Sequence, residues 1–155
     1  MNNSQNLSSK IKEVYLEGKW IANTNLKDAL SDVEFDTAMH VYKKLNSIAA
    51  LTFHLNYYLE GLLFYIQEGE LTMHDSFSFA INENMNEQEW EELKQKLFSN
   101  ALEFSKIIAG WSEAQLQEDF YQNQYGSWQR GVEGVVEHGY YHLGQIVLIK
   151  KLIAQ

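Results

Sequence analysis

His138-Gly139-Tyr140-Tyr141-His142 is the segment of this chain best suited to chemistry. Two imidazoles four residues apart on an α-helix are separated by only ~6 Å along its axis, so both rings can converge on one transition-metal ion beside the helix. The segment sits inside a long apolar-periodic run, Trp128 to Ile153, with no proline to interrupt it. A histidine pair needs a third ligand, and His54 is the natural one. It lies within the apolar run Ile48 to Ile66, where an unpaired imidazole would have to be desolvated. Taken alone, His54 also reads as an ordinary satisfied core histidine.

The elements that must position these histidines follow from composition and period. The chain has 155 residues, 45% of them hydrophobic and 14% aromatic, which suits one domain with a substantial core and argues against disorder. It contains no proline, as expected of an all-α chain. It also contains no cysteine, which excludes disulfides, thiolate metal sites and a cysteine nucleophile on the chain itself. The formal charge of -9 disfavours a polyanionic partner, so no nucleic acid is expected. Met1 to Ser9 is polar and does not read as a signal peptide, and no window offers ~18 uninterrupted apolar residues for a membrane span. The expectation is a cytoplasmic protein.

Apolar spacing predicts four long helices. The first runs from about Ser9 to Asn23, with Ile11, Val14, Tyr15, Leu16, Trp20 and Ile21 on one face. Asn23 to Leu30 reads as a turn and short helix, and Ser31 with Glu34 as a capping box. A second long helix covers about Tyr42 to Gln67. The stretch Gln67 to Met85 has no clean period and reads as a long connection, a feature that in small domains is often functional. Asn86 with Glu89 caps a third helix that runs to Ala109 and ends at Gly110; a loop through Tyr125-Gly126-Ser127 then leads into the fourth. The expected fold class is an all-α four-helix bundle with one long inter-helix connection, a single domain over residues 1–155.

At ~100° per residue, Gly131, Gly134, Tyr141, His142 and Gln145 share the His138 face, and Ser47, Ala50, Tyr58, Gly61 and Tyr65 share the His54 face. The small residues either leave room beside the imidazoles or let helices approach closely. No Asp or Glu falls on either face, so no general base is named. His40 and His74 read as surface or loop residues, Phe53, Tyr57, Tyr58 and Phe64 as core, and Glu87, Glu89, Glu91 and Glu92 as a solvated helix start. A second stripe on the last helix, Val132, Val136, Tyr140, Leu143 and Val147, points to deep burial or a subunit interface.

Asn46-Ser47-Ile48-Ala49 leading to His54 and Tyr58, together with His138-x-x-x-His142-Leu143-Gly144-Gln145-Ile146, resembles the DinB-like metalloprotein superfamily of four-helix proteins. The likeness extends from Leu26-Lys27-Asp28-Ala29-Leu30 to Lys150-Lys151 and is densest at the C-terminal motif. It implies a divalent ion, commonly nickel or zinc, held by His54, His138 and His142, and a homodimer. Some members of that superfamily are thiol-dependent transferases or isomerases. Here any thiolate would come from a low-molecular-weight cosubstrate, which would meet an unidentified small-molecule substrate. Gln145 would orient a ligand or bound water, or else is a helix-packing residue, while Tyr58, Tyr65 or Tyr141 would line the pocket. A metal-dependent hydrolase, and a non-catalytic metal-stabilised stress-response binding module, are the competing readings.

Overall fold

Capping chemistry sets where the helices begin. In the computed structural model, which describes residues 2–154, the Asn2 side chain accepts from the Gln5 backbone N–H at 2.9 Å and the Gln5 side chain accepts from the Asn2 N–H at 3.3 Å. Met1, part of the N-terminal stretch read above, lies outside the described residues. This reciprocal cap starts α1 (Asn3–Lys12), which places Leu7 and Ile11 in the core. Five residues, Glu13–Glu17, then widen into a π turn that buries Val14 and Tyr15 and stops at extended Gly18. A Cβ at Gly18 would collide with the Glu13 side chain, so glycine fits this exit. The first helix is therefore shifted from the expected Ser9 to Asn23. Trp20 and Ile21, placed by period on its inner face, lie beyond its end, 88% and 65% exposed.

α2 (Leu26–Leu30) is capped by Asn25, whose side chain accepts from the Asp28 N–H at 2.9 Å. The expected Ser31 to Glu34 capping box does not form. Ser31 instead closes α2 by donating to the Asp28 carbonyl at 2.7 Å, and Glu34 precedes α3 (Phe35–Met39) without a side-chain cap. The next helix, α4 (Ile48–Glu68), starts at the Ser47 cap and not at Tyr42, because Lys43 adopts φ 56 and turns the backbone away. Gly69, at φ 74, ends it in the left-handed conformation. α5 (Glu87–Ala109) opens on the predicted Asn86 and Glu89 box and stops at Gly110. A short α6 (Glu113–Gln117), opened by a Ser112 and Gln115 capping box within the stretch read above only as a loop, precedes α7 (Trp128–Ile153), which begins at the Ser127 cap.

The fold is all-helical, with no strand among the described residues. α1 packs on α5, α5 on α4, α4 on α7, and α7 returns to α1, α2 and the π turn. Between them lies one core that includes Leu7, Leu55, Leu59, Leu97, Phe104 and Ile146, each such buried side chain stabilising the fold by about 1.5–3 kcal/mol. Trp90 is fully buried within it and donates its indole N–H to the Val33 carbonyl at 3.0 Å. No helix among the described residues is long and apolar enough to cross a membrane.

The second apolar stripe of α7 is absorbed by the chain itself. Val132 and Leu143 are buried, and Val136, Tyr140 and Val147 pack against the same core. Gly139 approaches Val14 and Tyr15 so closely that a Cβ there would sit 3.0 Å from each. The expected core stripe of α4 divides differently: Phe53 packs against the core, whereas Phe64 is 41% exposed and the Tyr57 and Tyr58 hydroxyls reach the connection after the helix.

Candidate metal centre

The contact between α4 and α7 brings His54, His138 and His142 together. His54 and His142 are buried and His138 is half-buried. His138 Nε2 lies 3.0 Å from His54 Nε2 and 2.9 Å from His142 Nε2. The outer nitrogens fix the protonation pattern. His54 Nδ1 is 3.2 Å from the Ser78 carbonyl oxygen, and His142 Nδ1 is 2.6 Å from the Gln145 side-chain oxygen. Both oxygens only accept, so both Nδ1 atoms carry the proton and donate it, leaving each Nε2 as a bare lone pair. His138 can present one hydrogen to one of those two nitrogens. At least one inward lone pair is then left facing other acceptors in a buried setting, an arrangement that a cation would relieve.

Burial is the leading cause of depressed imidazole pKa values here. It pushes His54 down to about 4 despite opposing pulls from the Ser78 carbonyl and the Asp75 carboxylate, and the charge of a protonated His142 adds to the lowering. His138 is likewise lowered to about 4 by burial and by its two neighbours. His142 is lowered by burial, partly offset by Gln145. All three rings are therefore neutral near pH 7, the form that ligates a metal. Convergent neutral nitrogens with their second nitrogens tied to oxygen acceptors form a donor set that fits a divalent transition ion.

The site opens onto a cavity of about 510 Å³ whose wall includes His54, His138, Tyr58, Asp75 and Gly134. The small residues on the two histidine faces behave unequally. A Cβ at Gly134 would meet nothing within 4 Å, so this glycine does leave room. Gly131 lies against the Phe120 ring, and the space beside Gly61 is filled by Met73.

The connection between α4 and α5 supplies what the helical faces lack. Its 3-10 turn, Asp75–Phe77, presents Asp75 Oδ1 to the Tyr58 hydroxyl, which donates to it at 2.5 Å. Burial, with Asp75 adding to it, pushes the Tyr58 phenol up to about 12. Phe79 stacks on the His54 ring at 4.0 Å between centroids and 10° between planes, one residue from the carbonyl that accepts from His54. The Tyr57 hydroxyl accepts from the His74 N–H at 2.9 Å and donates to the His74 carbonyl at 3.1 Å. Asp75, Ser78 and Phe79 carry no periodic signal in the sequence. Only the length of their loop hinted at a role.

Among the other expected residues, Tyr58 lines the cavity, whereas Gln145, expected to orient a ligand or bound water, lies outside the cavity wall and accepts from His142 Nδ1 instead. Tyr141 is 64% exposed, edge-on to His142 and outside the cavity wall. Tyr65 lines a different cavity. His40 and His74 are exposed and away from the cluster, and Glu87, Glu91 and Glu92 lie in solvent at the start of α5. No family model, curated protein or solved structure matches this chain.

Proposed function

We propose that this protein is a divalent-metal-dependent enzyme built on a DinB-like four-helix bundle, acting on a small molecule in the cavity beside His54 and His138. The reading rests on one observation above all: three imidazoles converge through Nε2, two with Nδ1 committed to oxygen acceptors, at the wall of a cavity that Gly134 keeps open. A nickel or zinc ion held by His54, His138 and His142 would supply Lewis-acid chemistry, lowering the pKa of a water or of a cosubstrate thiol. The resemblance to thiol-dependent transferases and isomerases makes a low-molecular-weight thiol the favoured cosubstrate, since the chain has no cysteine of its own.

The chain's own residues divide the remaining work. Ser78 and Gln145 hold two rings in the required tautomer and orientation. Asp75, fixed by Tyr58, is the carboxylate in the cavity wall suited to accept a proton from the thiol or water. That same carboxylate favours a second reading, metal-dependent hydrolysis, in which the proton comes from water. A homodimer, also implied by the resemblance, would cover Tyr141 and Leu148, the large apolar side chains that α7 leaves exposed.

Elemental analysis of untagged protein tests the centre. Wild type should carry about one equivalent of a divalent transition metal per chain and His54→Ala much less; equal content in the two would overturn the reading. His138→Ala should lose metal while keeping its helical fold, whereas unfolding would favour a purely structural ion.

A further inference from the structure

A second cavity, about 320 Å³, lies where the end of α4 meets α6 and the start of α7. Tyr65, Ile66, Gly69, Trp111, Glu118 and Trp128 contribute to its wall. Tyr65 and Trp128 stack at 5.5 Å with 20° between planes, and Trp111 stands nearly perpendicular to Trp128 at 5.0 Å and 82°. The Phe120 ring meets Tyr65 and Trp128 edge-on and also lines the metal-site cavity, so it separates the two.

Two features of this cavity select the same charge. Aromatic faces are negative and attract cations placed over them. Glu118 is exposed and takes part in no ion pair among the described residues, and no Lys, Arg or His lines the cavity. Aromatic rings beside a single carboxylate suit a cation that carries its charge on carbon-covered nitrogen better than a bare, strongly hydrated metal ion.

We propose that this second cavity binds an organic cation, a methylated or otherwise alkylated ammonium group seated against Trp111 and Trp128 with Glu118 as counter-ion. The site is separate from the histidine cluster and does not depend on the reading of that cluster. Calorimetric titration at constant ionic strength tests it, with choline chloride against its uncharged carbon isostere dimethylbutanol. Choline should bind saturably and at least ~10-fold more tightly than the isostere. Glu118→Gln, a change on an exposed side chain, and Trp111→Leu should each weaken choline several-fold, while His138→Gln should leave it unchanged. Absence of saturation by about 50 mM choline, an affinity too weak to be specific, overturns the proposal. Equal affinity for the isostere, or full affinity retained in both cavity variants, overturns it too.

Discussion

Lowering the pH of the metal-free protein from 7 to 5 should destabilise it by roughly 2–3 kcal/mol through the histidine cluster. His54 and His138 are each lowered from 6.5 to about 4 in the folded state. Between those values an unfolded chain binds protons that the folded protein refuses. Unfolding therefore takes up protons, so the folded state is fully favoured above about pH 6.5 and progressively disfavoured as the pH falls toward 4. Treated independently, a shift of that size is worth about 2 kcal/mol per ring at pH 5, or roughly 4 kcal/mol for the pair. The sum must be reduced, because part of each shift is repulsion from a neighbouring protonated ring and because half-buried His138 is screened by solvent. Restricting the comparison to pH 7 to 5 also keeps it above the range of Asp32, which the Lys150 ammonium holds below the usual carboxylate value. Urea unfolding of chelator-treated protein, followed by helical circular dichroism at pH 7, 6 and 5, measures the loss. The double variant His54→Gln/His138→Gln should lose much less over the same range. Wild-type stability that changes by under about 0.5 kcal/mol, or a double variant with the same pH dependence as wild type, refutes the account of the cluster.

Gln145→Leu removes the acceptor that orients His142 and should weaken metal binding by ~10- to 100-fold, read by competition with a chromophoric chelator. Gly134→Ala should raise stability by about 1 kcal/mol, since the helix gains propensity and the new methyl meets open space. Gly134→Leu should keep fold and metal while excluding small molecules from the cavity, as ligand-observed NMR would show. Asp75→Asn should retain metal content but lower turnover by ~100-fold or more if the carboxylate is the proton acceptor.

Much of the fold was legible because its signals are local. The Asn86 to Glu89 box, the Gly110 stop and the run from Trp128 to Ile153 all appear where side-chain type and period placed them. The errors also have local causes. Trp20 and Ile21 match the apolar period of α1 but follow Gly18, whose extended backbone ends the element. The start at Asn3 is fixed by the Asn2 and Gln5 cap, but the first turn that follows is polar and shows no apolar period before Leu7. Ser31 and Glu34 have capping spacing, yet Ser31 Oγ is taken by the Asp28 carbonyl, a competing local bond of the kind short polar side chains make.

The candidate centre divides along the same line between local and tertiary information. His142 and Gln145 lie three residues apart on one helix, so the acceptor that orients His142 could be read as a spacing. His54 is oriented by a backbone carbonyl at Ser78, 24 residues away, and a carbonyl has no side-chain signature. The same holds for Asp75, which no helical wheel could place beside His54 because it reaches the cavity from a 3-10 turn. That turn is nevertheless tightly determined by α4: Tyr57 fastens His74, Tyr58 fastens Asp75, Met73 fills the space at Gly61, and His54 itself holds Ser78. A ligand on His54 Nε2 makes its Nδ1–H a stronger donor to the Ser78 carbonyl. Occupancy of the centre would thus be coupled to the order of the connection through one imidazole ring, and Asp75, the proposed proton acceptor, lies on the segment that this coupling would hold in place.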